Sequence, residues 1–320
     1  MHGRRAFVVA LASFAMLRAR AVWGQGRVPR VGLVSAGGPS VQNFLSGLRE
    51  AGYVPGQTII VEHRPTAGEA NRYDAAVAAV LARSVDGLVV TSPHGIAAAR
   101  RRTSTVPIVA VDLESDPVAS GFVGSLARPG SNLTGLFLDL PEMSGKLLQL
   151  LQEAKPRLSR VGVVWDATIA RAQFEATDRA ARAASIHVHP AAIKTAADLE
   201  PAFADFVRQG VDAVIALSSP LMRLNQRRID DLCVRHRLPS ITVFALLPNG
   251  RGLLSYGPDF DDMQRRTAVY VDRILKGAAV SELPVERPTK FELAVNLRTA
   301  KLLGLELPQS LLVRADRVIQ

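Results

Sequence analysis

Cysteine is nearly absent from this sequence, and that scarcity limits the architectures it can adopt. The chain of 320 residues has one cysteine, Cys233, so no disulfide can form within it. A small domain held together by disulfides is therefore excluded. Leu232 and Val234 flank the thiol, which is typical of a buried core cysteine rather than a nucleophile.

Aromatic residues are also scarce, and this decides what the hydrophobic core is made of. They account for 5% of the chain, whereas hydrophobic residues as a whole account for 48%. The core must then be aliphatic, rich in Val, Leu and Ala. Such a composition favours a parallel sheet covered by helices, because its strands are buried on both faces.

The sequence contains no motif for a bound cofactor or a catalytic nucleophile. It has neither the G-x-G-x-x-G fingerprint nor a phosphate loop ending in Gly-Lys-Ser/Thr, and neither G-x-S-x-G nor H-E-x-x-H. His187 and His189 share a strand face, but no nearby cysteine or carboxylate completes a metal site. We therefore expect no cofactor, no metal and no enzymatic activity.

Positive charge is in excess, but it is spread thinly along the chain. The formal net charge is +10, and four of the arginines lie in the first 21 residues, where there is no acid. The one basic run, Arg100–Arg102, has no aromatic residues between its charges and is predicted to end a helix. A nucleic-acid partner is not expected.

The first 21 residues have the organisation of an export signal. A basic start (Met1–Arg5) precedes an apolar run (Ala6–Leu17) and a small-x-small cleavage site (Ala19–Ala21). The apolar run is too short to span a membrane. We predict a signal peptide over residues 1–21 and a periplasmic protein, with the general and twin-arginine routes both open. The alternative is an N-terminal helix that is retained.

Beyond the leader, short apolar runs alternate with longer amphipathic stretches, as in βαβ units. The predicted strands are Val31–Val34, Thr58–Glu62, Gly87–Val90, Ile108–Val111, Arg160–Trp165, His187–Pro190, Ala213–Leu217 and Ser240–Val243. The predicted helices are Val41–Ala51, Asn71–Arg83, Gly95–Thr103, Ala170–Ala184, Asp198–Gln209 and Met222–His236.

The two halves of this pattern resemble each other. PRVGLV (29–34) matches SRVGVV (159–164), VDGLVVTSP (85–93) matches VDAVIALSSP (211–220), and VPIV (106–109) matches LPSI (238–241). The offsets, measured from 31 to 161, 85 to 211 and 107 to 239, are 130, 126 and 132 residues. A nearly constant offset of that size predicts two similar α/β lobes.

Polar and aromatic residues follow the predicted strands, where ligands bind in open α/β sheets. We expect a ligand cleft between the lobes, lined by Ser35, Thr91, Ser92, Asp112, Trp165, Asp166, Ser218 and Phe244. In this interpretation the hydroxyls, with the N–H groups after Ser35, hold an anionic group. Asp112 or Asp166 faces a cationic group, and the two aromatic residues cover an apolar part. The alternative is that the hydroxyls only cap helices. His94 is the one histidine placed to act in this region.

Several further segments carry a family resemblance over nearly the whole chain. They are GLREAGY (47–53), RPGSNLTG (128–135), LSYG (254–257), RILKG (273–277), PTKFELAVNL (288–297) and TAKLLG (299–304). On these motifs the chain resembles the substrate-binding proteins of ABC transporters, in the family related to the tryptophan and tyrosine binding proteins.

The resemblance implies a type I periplasmic-binding-protein fold, two Rossmann-like lobes joined by three crossing strands. On this pattern lobe one takes residues 28–133 and 256–280, and lobe two takes 136–251 and 285–320. The crossings fall at Asn132–Leu136, Gly252–Tyr256 and Phe291–Leu297. It also implies a monomeric receptor that captures a small polar, aromatic or amino-acid-like solute by hinge closure and delivers it to a membrane permease.

Two other functions remain open at this point. A Rossmann-like enzyme could act in the cleft, and a regulator's sensing domain shares this general fold. Two predicted ligand-facing segments also depart from the family pattern. Asp112–Pro117 replaces a Gly-Asp-Pro-type loop, and Trp165-Asp166 replaces Asn-Pro-type residues. The identity of the ligand is therefore not predicted.

Overall fold

The computed structural model describes residues 27–37, 39–112, 116–137, 140–245 and 249–320. The predicted signal peptide lies outside these residues. The first lobe begins as an alternation of strands and helices. Its elements are β1 (Arg30–Ser35), α1 (Pro39–Glu50), β2 (Ile60–Pro65), α2 (Tyr73–Leu81), β3 (Gly87–Thr91), α3 (Pro93–Arg102), β4 (Ile108–Asp112) and β5 (Leu133–Phe137).

The second lobe repeats this alternation. Its elements are α4 (Ser144–Ala154), β6 (Arg160–Asp166), α5 (Arg171–Ala183), β7 (His187–Ile193), α6 (Leu199–Arg208), β8 (Ala213–Ala216), α7 (Pro220–Leu224), α8 (Gln226–Arg235), β9 (Ser240–Thr242) and β10 (Leu254–Pro258). The chain then returns to the first lobe as α9 (Phe260–Leu275), which packs against α1. It ends in the second lobe with β11 (Phe291–Asn296), α10 (Leu297–Leu303), α11 (Gln309–Arg314) and β12 (Arg317–Ile319).

Each lobe is built on its own sheet. Within the described residues, the first sheet has five parallel strands in the order β2-β1-β3-β4-β5. The second has seven, in the order β12-β11-β10-β9-β8-β6-β7, and its β10–β11 pair is antiparallel. The order β7-β6-β8-β9-β10 repeats that of the first lobe. The prediction of two α/β lobes with largely parallel sheets is confirmed.

A matched glycine in the first strand of each lobe lets a helix lie close to the sheet. Gly32 in β1 and Gly162 in β6 occupy the same position of the sequence repeat. A Cβ on Gly162 would lie 2.8 Å from the ring of Phe206 in α6, and one on Gly32 would overlap Val80 in α2. The two halves therefore share this close contact between helix and sheet as well as the pattern of strands.

The structure moves the first two crossings between the lobes away from their predicted positions. Leu133–Phe137 pairs with β4 along its whole length, so the chain leaves the first sheet after Phe137 rather than between 133 and 136. Residues 254–258 pair with β11, so the second crossing follows Pro258 rather than lying at Gly252–Tyr256. In both cases backbone hydrogen bonds keep the chain in its sheet for more residues than the sequence pattern predicted.

The third crossing is also displaced. The backbone N–H of Val285 donates to Leu126 O, and that of Glu286 donates to Gly135 O, so residues 285–286 belong with the first lobe. The crossing lies between Glu286 and Phe291, and Phe291–Asn296 is a strand of the second sheet.

One predicted helix is interrupted. The stretch Met222–His236 contains parts of α7 and α8, which meet at Asn225. The φ and ψ of Asn225 are −100° and 10°, outside the helical region, and its Nδ2 donates to Leu221 O at 2.9 Å. An asparagine that bonds its own backbone in this way competes with helix continuation.

Candidate functional site

A cavity of about 620 Å³ lies between the two lobes, at the carboxyl ends of their central strands. Its wall includes residues 36–37 and 91–92 from the first lobe and residues 219–220 and 243–245 from the second. The segment 257–261, where the chain passes from β10 into α9, completes it. The volume is in the range of small-molecule sites.

Ser92 is the most unusual residue of the first-lobe wall. Its φ of +78° is rare for a residue with a Cβ, and its ψ is 149°. The side chain is buried, and its hydroxyl has no hydrogen-bond partner among the described residues. A strained backbone and an unsatisfied hydroxyl at a cavity wall are typical of a binding position.

Arg223 of α7 supplies a cation to the second-lobe wall. Its guanidinium carbon lies 3.8 Å from the ring centroid of Phe260 and 5.3 Å from that of Phe244. Burial lowers the pKa of Arg223 to about 10, and the charge of Asp261 opposes that shift. The side chain therefore remains a cation at neutral pH, and two aromatic rings stabilise it.

The acidic residues of the wall already have partners. Asp259 Oδ1 accepts a hydrogen bond from the backbone N–H of Asp262 at 2.9 Å and caps α9. Asp261 Oδ1 accepts from Asn43 Nδ2 at 2.6 Å. Glu292 Oε1 lies 2.9 Å from Nε of Arg317. Each of these acids therefore has one carboxylate oxygen in a contact within the protein, whereas no ion pair of Arg223 occurs among the described residues.

The lobes contact each other beside the cavity. A Cβ on Gly68 of the first lobe would lie 3.0 Å from the backbone N of Leu221 in the second. His94 Nε2 of α3 lies 3.2 Å from Oγ1 of Thr168 in the second lobe. His94 therefore lies in the contact between the lobes rather than in the cavity wall.

Three of the eight predicted ligand residues line the cavity, namely Thr91, Ser92 and Phe244. Ser35 does not, because its buried hydroxyl accepts from the N–H of Gly37 and hydrogen-bonds His63 Nε2, both at 3.1 Å.

The structure places three second-lobe predictions outside the wall. Asp166 is buried, and its Oδ1 accepts hydrogen bonds from the backbone N–H and the hydroxyl of Thr168. Trp165 stacks on Phe174 with a centroid distance of 4.9 Å. Ser218 is fully buried, and its backbone N–H and C=O both bond the side-chain amide of Gln173. Asp166 and Ser218 are therefore bonded within the lobe, whereas the buried Nε1 of Trp165 has no hydrogen-bond partner among the described residues.

The side chain of Asp112 lies outside the described part of the structure, so its predicted role stays a prediction. Sequence reasoning missed Arg223 and Phe260, the two residues that stack across the cavity. The signal for Arg223 was its position three residues after Ser219-Pro220, since α7 begins directly behind a strand end. Phe260 had no comparable signal.

Two kinds of feature are absent from the described residues. No group of three or more His, Cys, Asp or Glu side chains is arranged to hold a metal ion in this part of the chain. Within the same residues, no helix combines the length and the apolar character needed to cross a membrane.

The model of one protein family, described as ABC transporter substrate binding protein, matches residues 37–319. A tyrosine-binding protein of Clostridioides difficile (strain R20291) is 20% identical over 269 residues, which cover 83% of this chain and 76% of that protein.

Solved structures share the arrangement of the lobes. A conserved domain protein from Vibrio cholerae is similar with a TM-score of 0.82 at 24% identity, covering 91% of this chain and 100% of that one. A Streptococcus pneumoniae ABC domain in complex with L-Trp has a TM-score of 0.80 at 19% identity, covering 92% and 100%. At these identities the likeness shows the periplasmic-binding-protein fold alone.

Proposed function

Since the chain belongs to the ABC transporter substrate-binding protein family, we propose that it is the extracytoplasmic receptor of an importer. It captures a small solute in the cavity between its lobes and delivers it to the permease of that transporter. The observation that carries this proposal is a cavity of about 620 Å³ whose wall comes from both lobes. A solute held there contacts both halves of the protein at once.

Closure of the lobes is the proposed working motion. The cavity lies beside the contacts between Gly68 and Leu221 and between His94 and Thr168, which join the two lobes. The chain connects the lobes through three short passages, so a rotation needs few backbone changes. A ligand that contacts both lobes binds the closed form better and shifts the population towards it.

The wall residues give the proposed site its chemistry. Thr91 and Ser92 offer hydroxyls from the first lobe, and Phe244 and Phe260 offer apolar surface. Two similar proteins support aromatic or amino-acid-like solutes: one is a tyrosine-binding protein, and the other was solved in complex with L-Trp. We carry this ligand class over to the chain as part of the proposal.

A thermal-shift screen against a metabolite panel tests the function. A solute at a hundred times its Kd adds about 2.7 kcal/mol to the stability of the native state. Small-angle scattering with the solute that binds should then show a smaller radius of gyration. If every stabilising compound leaves the scattering curve unchanged, closure is wrong. If a bound compound is recovered chemically altered, the protein is an enzyme instead.

Export is tested separately. The apolar run Ala6–Leu17 after Arg4-Arg5 supports cleavage near Ala21 and release into the periplasm. Intact-mass analysis of the periplasmic fraction should find a chain that lacks about 21 residues. A full-length product confined to the cytoplasm would contradict this part of the proposal.

A further inference from the structure

The arrangement of charges in the cavity points to a narrower ligand class than the family comparison does. We infer that the solute is an organic carboxylate with an apolar or aromatic body, that Arg223 binds its carboxylate, and that no ammonium group is needed. This inference rests on the proposed function, because it takes the cavity between the lobes as the solute site.

The first step is the geometry of Arg223. Its guanidinium carbon lies 3.8 Å above the ring of Phe260, so the planar group stacks on one aromatic face. Stacking uses the faces of a guanidinium, while its N–H donors lie in the plane of the group and stay available. That fork of donors matches the two oxygens of a carboxylate.

The second step is that no carboxylate pairs directly with this cation, although the charge of Asp261 acts on it from beyond ion-pair distance. Among the described residues, no carboxylate lies within the 4.0 Å of an ion pair with Arg223, although the side chain is half-buried at the cavity wall. A cation withdrawn from water without a partner is costly, and a ligand carboxylate would remove that cost. Arg228, in the next helix, differs because it lies 4.0 Å from Glu200 at the surface.

The third step concerns the acids that an amino-acid ligand would need. Asp259 is bound by the N-terminal turn of α9, and Asp261 accepts from Asn43. Glu292 faces Arg317. In the described part of the wall, an ammonium group would have to share one of these acids with the contact that the acid already makes. A carboxylate ligand without an amino group needs none of these acids.

The fourth step is the surface that remains for the body of the ligand. Val111, Val243, Phe244, Pro258 and Phe260 give the wall a largely apolar character. The unsatisfied hydroxyl of Ser92 provides a polar contact from the first lobe. An aromatic or short aliphatic body fits this combination.

The position of Arg223 also couples recognition to closure. Arg223 belongs to the second lobe, whereas Phe260 begins α9, which packs on α1 of the first. A carboxylate bound by Arg223 therefore sits where the two lobes meet. Binding of the anion should favour the arrangement in which Arg223 and Phe260 stack.

The test uses matched compounds on two skeletons. The first set is 3-phenylpropionate, 3-phenylpropionamide, phenylalanine and 2-phenylethylamine, and the second is the corresponding indole series. Calorimetric titration of the wild-type protein should rank each carboxylate above its amide by about ten- to a hundredfold. Each amino acid should bind no more tightly than the carboxylate of the same skeleton.

Three variants assign the effect to Arg223. Arg223→Gln should bind carboxylate and amide about equally, whereas Arg223→Lys, which keeps the charge without the planar fork, should retain part of the preference. Arg228→Gln is the matched control and should bind as the wild type does. Melting curves establish that each variant is folded, and Arg223→Lys provides the comparison if Arg223→Gln is unstable.

The possible results separate the inference from the proposed function. If the amino acids bind at least tenfold more tightly than the carboxylates, or if Arg223→Gln keeps the preference for carboxylates, the inference is wrong while a solute receptor stands. If sugars or other neutral solutes close the lobes and the carboxylates do not bind, the inference is again wrong and the protein is still a solute receptor. If no compound of the matched series or the metabolite panel binds, both are contradicted.

Discussion

Asp230 of α8 is a buried acid whose charge should cost stability at neutral pH. It is 3% exposed, and its Oδ2 has no hydrogen-bond partner among the described residues. Burial raises its pKa to about 7, and nearby Asp231 adds to that rise. The backbone N–H of Gly252 and the charge of Arg227 oppose it. We predict that Asp230→Asn stabilises the protein in a pH-dependent way.

The sign and size follow from proton linkage. The reference pKa is 3.8 and the folded pKa is about 7, so the folded state holds its proton more tightly than the unfolded state. Between these two pKa values the free energy of unfolding falls as the pH rises. Above pH 7 it has lost the full contribution of Asp230 and no longer changes through this group. The loss of stability is about 2 kcal/mol at pH 5 and about 4 kcal/mol at pH 8, so the two pH values differ by roughly 2 to 3 kcal/mol.

Urea unfolding of both proteins at pH 5 and pH 8 measures this difference. Asparagine keeps an oxygen for the Gly252 N–H, and any fixed cost of its buried amide cancels when the two pH values are compared. The advantage of Asp230→Asn over the wild type should therefore grow by roughly 2 to 3 kcal/mol from pH 5 to pH 8. Asp231→Asn, at a half-exposed neighbour, is the comparison: it removes only a smaller cause of the raised pKa of Asp230, so its stability relative to the wild type should change much less with pH. If the free energies of unfolding of Asp230→Asn and the wild type differed by the same amount at pH 5 and pH 8, the reasoning would be refuted.

Three further predictions concern the contacts between lobes and the cavity wall. Gly68→Ala should weaken solute binding and block closure in scattering, because its Cβ would lie 3.0 Å from Leu221 N. Gly56→Ala, also at positive φ but with nothing within 4 Å, should lose only folding stability, and equal binding by both variants would contradict this. Ser92→Gly should raise the free energy of unfolding by about 1 kcal/mol, since glycine tolerates the φ of +78°. The same variant should bind solute more weakly, and a fall in stability in urea would show that the position is not strained. His94→Ala should raise the apparent Kd about two- to tenfold by removing the contact between lobes, with no change in the melting temperature of the free protein. Unaltered affinity in titration would count against that contact.

The duplicated architecture could be predicted from the sequence because it depends on local patterns. The runs VGLV and VGVV are aliphatic and β-branched, which suits strands that are buried on both faces, and each is followed by an amphipathic helix. A constant offset between the halves then implies two lobes of the same strand order. The strand-end rule also led to Thr91, Ser92 and Phe244, which line the cavity, since it needs only the end of a strand and the residue that follows.

The bounds of the lobes could not be read in the same way. Leu136 and Tyr256 occur in apolar segments that fit a crossing strand as well as a sheet strand. Only the hydrogen bonds of residues 133–137 to β4 and of residues 254–258 to β11 decide which they are. Such pairings join residues far apart in the chain, and local composition does not encode them.

What the sequence by itself determined was the class of fold, the repeat and the edge of each sheet at which a ligand would bind. The tertiary structure alone decided which side chains at that edge remain free. Asp166 has the position of a ligand residue, but two residues later Thr168 supplies both of its hydrogen-bond donors. Arg223 and Phe260 are 37 residues apart, and their stacking depends on how a helix of one lobe meets a helix of the other. Strand and helix periodicity reports on neighbours in sequence, whereas a binding site is made of groups that the packing of the whole chain brings together and leaves unsatisfied.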